Sequence, residues 1–170
     1  IGHHIPGVPP MCLIDHVGAK SGTERTSPLL YIEDGDNVVI VASKGGYEKS
    51  PAWFYNLKAN PDTTVQIGNQ VRPVRAHVAD DAERERLWPK AVEVYQRACD
   101  GGYTLACRNL GLMLRDGRGV TADLARAELL LDKACQGGVP FACTNAGDLD
   151  AGRAIKGDTA RYRAMIAHYK

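Results

Sequence analysis

The chain has 170 residues, 44% hydrophobic and 24% charged, with 21 Lys and Arg against 20 Asp and Glu. That length supports one core or two small ones, and the near-neutral balance offers no footprint for nucleic acid or a charged membrane surface. No apolar run reaches membrane-spanning length and no secretory leader opens the chain; with Ile1 first and Lys170 inside a helical pattern, the chain reads as a fragment.

The opening Gly2-His3-His4-Ile5-Pro6-Gly7-Val8-Pro9-Pro10 is irregular, because adjacent prolines forbid a helix. Its His pair has no third ligand at useful spacing, so a solvated arm is expected rather than a metal site. Met11–Val17 reads as a strand, with Cys12 a buried thiol. The Gly18–Arg25 turn follows, carrying two glycines, two hydroxyls and two cations. Arg25–Glu33 is a second strand, ended by the Asp34-Gly35-Asp36 turn signal. Asn37–Ser43 is a nearly continuous Val/Ile run, of the kind buried on both faces. Ser50-Pro51 marks a helix start with Ser as N-cap, and that helix breaks at Asn60-Pro61. Thr63–Ile67 and Val71–Ala79 form a hairpin across Gly68-Asn69. His16 and His77 read as structural. Three strands, a helix and two strands favour a small antiparallel barrel over βαβ units.

Leu87-Trp88-Pro89 opens the next helix, with Pro89 in an early turn. Leu87, Ala91, Val94, Tyr95 and Ala98 recur at helical spacing, and Gly101-Gly102 stops the run. Beyond it the chain repeats itself. Ala98-Cys99 reappears as Ala134-Cys135 and Ala106-Cys107 as Ala142-Cys143, a constant offset of 36 residues. A fixed offset in that range marks stacked helical hairpins. Helices are expected over Leu105–Leu114 and Leu124–Ala134, with a partial third unit from Arg161. The cysteine pairs lie too far apart along the chain for the usual zinc spacing, and no metal is expected.

Three ordered blocks in the first half carry a resemblance. They are Gly18-Ala19-Lys20-Ser21-Gly22-Thr23-Glu24-Arg25-Thr26-Ser27-Pro28-Leu29, Val41-Ala42-Ser43-Lys44-Gly45-Gly46 and Pro51-Ala52-Trp53-Phe54-Tyr55-Asn56-Leu57-Lys58-Ala59-Asn60-Pro61. Together they resemble the deazaflavin-dependent nitroreductase family, split β-barrel enzymes that use coenzyme F-420. The resemblance implies hydride transfer to a small acceptor: a nitroaromatic, a quinone or an activated enone. FMN is the alternative cofactor, since related split barrels use it. The implied cofactor-binding residues are Lys20, Ser21, Gly22, Thr23, Arg25, Ala42, Ser43, Lys44, Trp53, Asn56 and Tyr95. Lys20, Ser21, Thr23 and Arg25, with free backbone N–H groups, would cradle the anionic tail. The Lys44-Gly45-Gly46 strand end would let backbone approach the ring. Trp53 and Asn56, three apart on one helix, would stack and hydrogen-bond. No residue is assigned as a catalytic acid or nucleophile, because the cofactor carries the chemistry.

The second half resembles the cysteine-containing branch of the Sel-one-like repeats, relatives of tetratricopeptide repeats. That resemblance implies a protein-interaction scaffold, with Cys99, Cys107, Cys135 and Cys143 as intra-repeat disulfide candidates. Paired cysteines suit an oxidising compartment, whereas a deazaflavin reductase is expected in the cytoplasm. The expected architecture is therefore α+β. A partial antiparallel split β-barrel occupies residues 1–86, without its closing C-terminal strand, and an α-helical hairpin repeat array occupies 87–170. The competing reading is a non-catalytic scaffold with a vestigial barrel.

Overall fold

Alternation decides the first strand. In β1 (Met11–Val17) Cys12, Ile14 and His16 point to the buried face, while Asp15 and Val17 point out. The computed structural model describes residues 10–42, 50–139 and 141–155. The His3-His4 arm, Ser43, the Lys44-Gly45-Gly46 segment and the third repeat from Arg161 lie outside them. The chain divides into two compact units, Ile1–Val94 and Tyr95–Lys170.

The first unit is built on an antiparallel sheet in the order β3-β2-β1-β4-β5. Its other strands are β2 (Glu24–Asp34), β3 (Asn37–Ile40), β4 (Asp62–Ile67) and β5 (Gln70–Arg75). β2 pairs with β1 through residues 24–30 and with β3 through residues 31–34. Pro28 sits in the part that β3 does not reach, where its missing N–H costs no ladder bond. Two-residue turns close both hairpins, with Gly35 at φ 62° and Gly68 at φ 61°. Cys12, Tyr31 and Val65 centre the core, joined by Leu29, Val38, Ile40, Ile67 and Val74. Burial pushes the Cys12 thiol up to about 11, which leaves it an inert, protonated packing group.

Three expectations are corrected here. The third strand ends at Ile40, and its Val/Ile residues are half-buried rather than buried on both faces, because β3 is an edge strand. Helix α1 (Ala52–Ala59) is capped by Pro51 in an extended conformation, without a side-chain cap from Ser50. Helix α2 spans Asp81–Asp100, so Pro89 lies inside it rather than in an early turn.

The true start of α2 is a reciprocal capping box. The Glu83 N–H donates to Asp80 Oδ1 (2.9 Å) and the Asp80 N–H donates to Glu83 Oε2 (3.0 Å). Farther along, Asp34 at the end of β2 accepts two bonds from Arg86 (2.7 and 2.8 Å) and one from Lys90 (2.7 Å). Hydrogen bonding from these cations holds the Asp34 carboxyl well below the usual carboxylate range.

The second unit contains the end of α2, then α3 (Thr104–Asp116), α4 (Leu124–Gln136) and α5 (Ala142–Ile155). Its buried residues mix small and large side chains: Ala98, Ala106, Leu110, Leu114, Ala127, Leu131 and Ala134. A methyl added at Gly111 would meet Leu131 Cγ at 3.0 Å and the Ala127 carbonyl at 3.1 Å. Glycine is therefore what lets α3 and α4 cross so closely. Gly117, left-handed at φ 69°, ends α3, and the Asp123 side chain caps α4 by accepting from the Arg126 N–H. The structure joins Cys99 to Cys107 and Cys135 to Cys143, with Cα–Cα distances of 4.6 and 4.7 Å. Among the described residues no helix is long and apolar enough to cross a membrane.

Candidate functional site

The turn between β1 and β2 is closed by its own hydrogen bonds. The Gly18 N–H donates to the Thr23 carbonyl and the Gly22 N–H to the Gly18 carbonyl, both at 2.8 Å. The Thr23 N–H donates to Ser21 Oγ at 3.3 Å. Gly22 holds φ 66°, a conformation that an L side chain would strain. Lys20, Ser21, Gly22, Thr23 and Arg25 are all exposed. Lys20 and two hydroxyls thus face solvent on a loop of defined shape, and Arg25 is exposed on the adjoining end of β2.

Of the backbone N–H groups in this loop, those of Gly18, Ala19, Gly22 and Thr23 are engaged inside the protein. A six-residue reversal between antiparallel strands satisfies its own donors first. What it presents outward is side-chain charge. The donor set of ammonium, guanidinium and hydroxyls suits a phosphodiester and carboxylates, so these residues fit the tail of the expected cofactor.

Asn56 sits behind the loop. It is 8% exposed, and its Oδ1 accepts from the Ala19 N–H at 3.0 Å. Its Nδ2 contacts His16 Nδ1 at 3.0 Å, and His16 Nε2 contacts Ser27 Oγ at 2.9 Å. Asn56 thus shapes the loop instead of facing outward beside Trp53. From sequence His16 reads as structural, and nothing in the sequence names its partners. One signal was available: a ring nitrogen on the buried face of β1, beside Cys12 and Ile14, must find hydrogen bonds.

Burial, then the field of Arg25, lowers the His16 pKa against the opposing pull of Asp15. The imidazole is therefore neutral at pH 7, and unfolding exposes a group that takes up a proton more readily. The stabilisation from the neutral ring is complete above the unfolded value of about 6.5 and is lost as pH falls through the lower folded value. Thermal melts of the parent are expected to fall as pH drops below about 6.5, and His16→Asn should flatten that part of the profile. Equal slopes in the two proteins would refute the assignment.

The other candidate residues lie elsewhere. Trp53 lines a hollow of about 360 Å³ with Ile14, Val38, Ile40, Leu57 and Val65, and Asn56 is not in its wall. Arg25 instead lines a more polar hollow of about 440 Å³ with Asp15, His16, Glu24, Asn60 and Asp62. Ala42 is half-buried and lines neither. Ser43 and Lys44 lie outside the described residues. Tyr95 is 5% exposed and belongs to the second unit. Asp15, outward on β1, accepts from the Thr26 and Thr64 hydroxyls, both at 2.6 Å. Those bonds hold its carboxyl below the ordinary value. Among the described residues no cluster of His, Cys, Asp and Glu could hold a metal ion.

Comparison with known proteins bears on the same region. The chain is 51% identical over 86 residues to Rv3178 of Mycobacterium tuberculosis, a protein named for quinone reduction with the reduced deazaflavin; the match covers 51% of this chain and 72% of that one. It is 47% identical over 93 residues to the F420H(2)-dependent quinone reductase Rv1261c of the same organism, spanning 52% of this chain and 60% of the relative. A solved F420-H2 dependent reductase, FDR-A, shares 41% identity over 55% of this chain and 83% of that chain, with a TM-score of 0.47. The sequence profile of the F420H(2)-dependent quinone reductases matches residues 1–103. With more than half of its length so matched, the chain belongs to the F420H(2)-dependent quinone reductase family.

Proposed function

We propose that this chain binds reduced coenzyme F-420 and passes hydride to a quinone. The observation that carries the reading is the β1–β2 turn, an exposed set of cations and hydroxyls held from behind by Asn56, within a sequence of this family. Lys20, Ser21, Thr23 and Arg25 would hold the anionic tail. Ala42, Ser43, Lys44 and Trp53 would serve the ring. The cofactor supplies the hydride, and the protein's part is to bind, orient and exclude water. Nitroaromatics and activated enones are further acceptors of the same chemistry. Titration of the purified chain with coenzyme F-420, followed by fluorescence, tests the first step. Oxidation of the reduced cofactor on adding menadione tests the second. Saturable binding with quinone-dependent turnover is expected; absence of both would overturn the reading.

For the second unit we propose helical-hairpin repeats of the Sel-one-like kind, serving as a protein-interaction module. The support is the constant offset of 36 residues together with equivalent disulfides, Cys99–Cys107 and Cys135–Cys143.

A further inference from the structure

We infer that His16 is a positioning residue for the cofactor loop: its neutral Nδ1 orients the Asn56 amide, and that amide holds the Gly18–Arg25 turn through the Ala19 N–H. The inference rests on the assignment of this turn to cofactor binding.

Hydrogen-bond direction makes the chain of contacts one-way. A backbone N–H can only donate, so the atom of Asn56 that meets Ala19 must be the oxygen. The atom facing His16 is then the amide nitrogen, which also only donates. His16 Nδ1 must accept, its proton sits on Nε2, and Nε2 donates to Ser27 Oγ. Four groups from β2, β1, α1 and the turn are thereby locked in a single arrangement. Of the four, the imidazole is the one that titrates near neutrality.

Protonating Nδ1 would set an N–H against the Asn56 N–H₂. Two donors cannot share the contact, so the amide must turn or withdraw, and Ala19 loses its acceptor. The charged groups around His16 work in opposition. Asp15 on its own strand favours the proton and Arg25 on β2 opposes it. Glu24 on β2 and Asp62 on β4 line the same hollow, while α1 contributes the neutral Asn56. Burial and Arg25 outweigh Asp15, keeping the ring neutral at pH 7. The loop that carries Lys20, and runs into β2 beside Arg25, is thus shaped at neutral pH and loosened in acid.

Two substitutions separate positioning from packing. In His16→Asn the side-chain oxygen takes the place of Nδ1 and cannot titrate; in His16→Leu no acceptor remains. The first measurement is hydrogen-exchange protection of the Ala19 amide in the cofactor-free chain, corrected for intrinsic exchange. The second is the Kd for coenzyme F-420. As pH is lowered from 7.5 far enough to protonate the His16 ring, followed by its own imidazole titration, the parent should lose three- to tenfold in both. His16→Asn should hold near the neutral-pH parent value throughout, and His16→Leu should be weak at every pH. A flat parent profile, or a His16→Asn profile that tracks the parent, overturns the inference. If the parent binds no deazaflavin at any pH, the functional reading fails, and Ala19 protection alone then decides the positioning role.

Discussion

Replacing Lys20 or Arg25 by Ala is expected to weaken coenzyme F-420 binding by roughly 10- to 150-fold each, the worth of one charge-assisted hydrogen bond to an anion. Both side chains are exposed, so screening by solvent and salt pulls the effect toward the lower figure. The loss should therefore shrink as ionic strength rises. It should also leave the melting temperature of the first unit nearly unchanged, since no core residue is touched. Gly22→Ala makes a useful contrast. It removes no charge but strains a backbone held at φ 66°, so it should weaken binding through loop shape at every salt concentration. If parent binding is measurable and both charge variants match it, the tail does not lie on this turn.

Removing both disulfides is expected to cost the second unit more than any surface substitution. Each bond closes a loop between cysteines eight residues apart, worth about 2–3 kcal/mol on chain-entropy grounds. The sum, about 5 kcal/mol, approaches the whole stability of a small unit. Each bond also ties the end of one helix to the start of the next, where Cys99 and Cys107 are almost wholly buried. Lys133 Nζ donates to the Cys99 carbonyl at 3.2 Å, joining α4 to this corner. Replacing all four cysteines by Ala, or reducing them, should lower the helical melting transition and raise amide exchange in α3 and α5. An unchanged transition under full reduction would show that the Leu110, Leu114 and Leu131 packing suffices alone.

Much of this protein follows from local sequence. The Met11–Val17 run marks β1 and its buried Cys12, while the face shared with Ile14 and His16 is fixed by the packed sheet. Gly35-Asp36 and Gly68-Asn69 set two hairpins, because a two-residue reversal needs positive φ. The helices expected over Leu105–Leu114 and Leu124–Ala134 form as α3 and α4, with ends within two residues of those bounds. Three ordered blocks in the first half carry the family resemblance. Other features were decided by partners far away along the chain. Burial of the Val38–Ile40 run depends on whether a strand lies beyond it, and an edge strand leaves it half-covered. The start of α2, by contrast, is local: it rests on the Asp80–Glu83 box, three residues apart, whose polar side chains carry no apolar period to mark a helix. Asp34 looked like an ordinary turn acid until Arg86 and Lys90, more than 50 positions on, came to rest on it. By spacing Asn56 shares a helix face with Trp53, but His16 lies 40 positions before it and claims one end of its amide while Ala19 claims the other. Periodicity reports which face a residue occupies; only the packed chain determines which buried donor meets which acceptor.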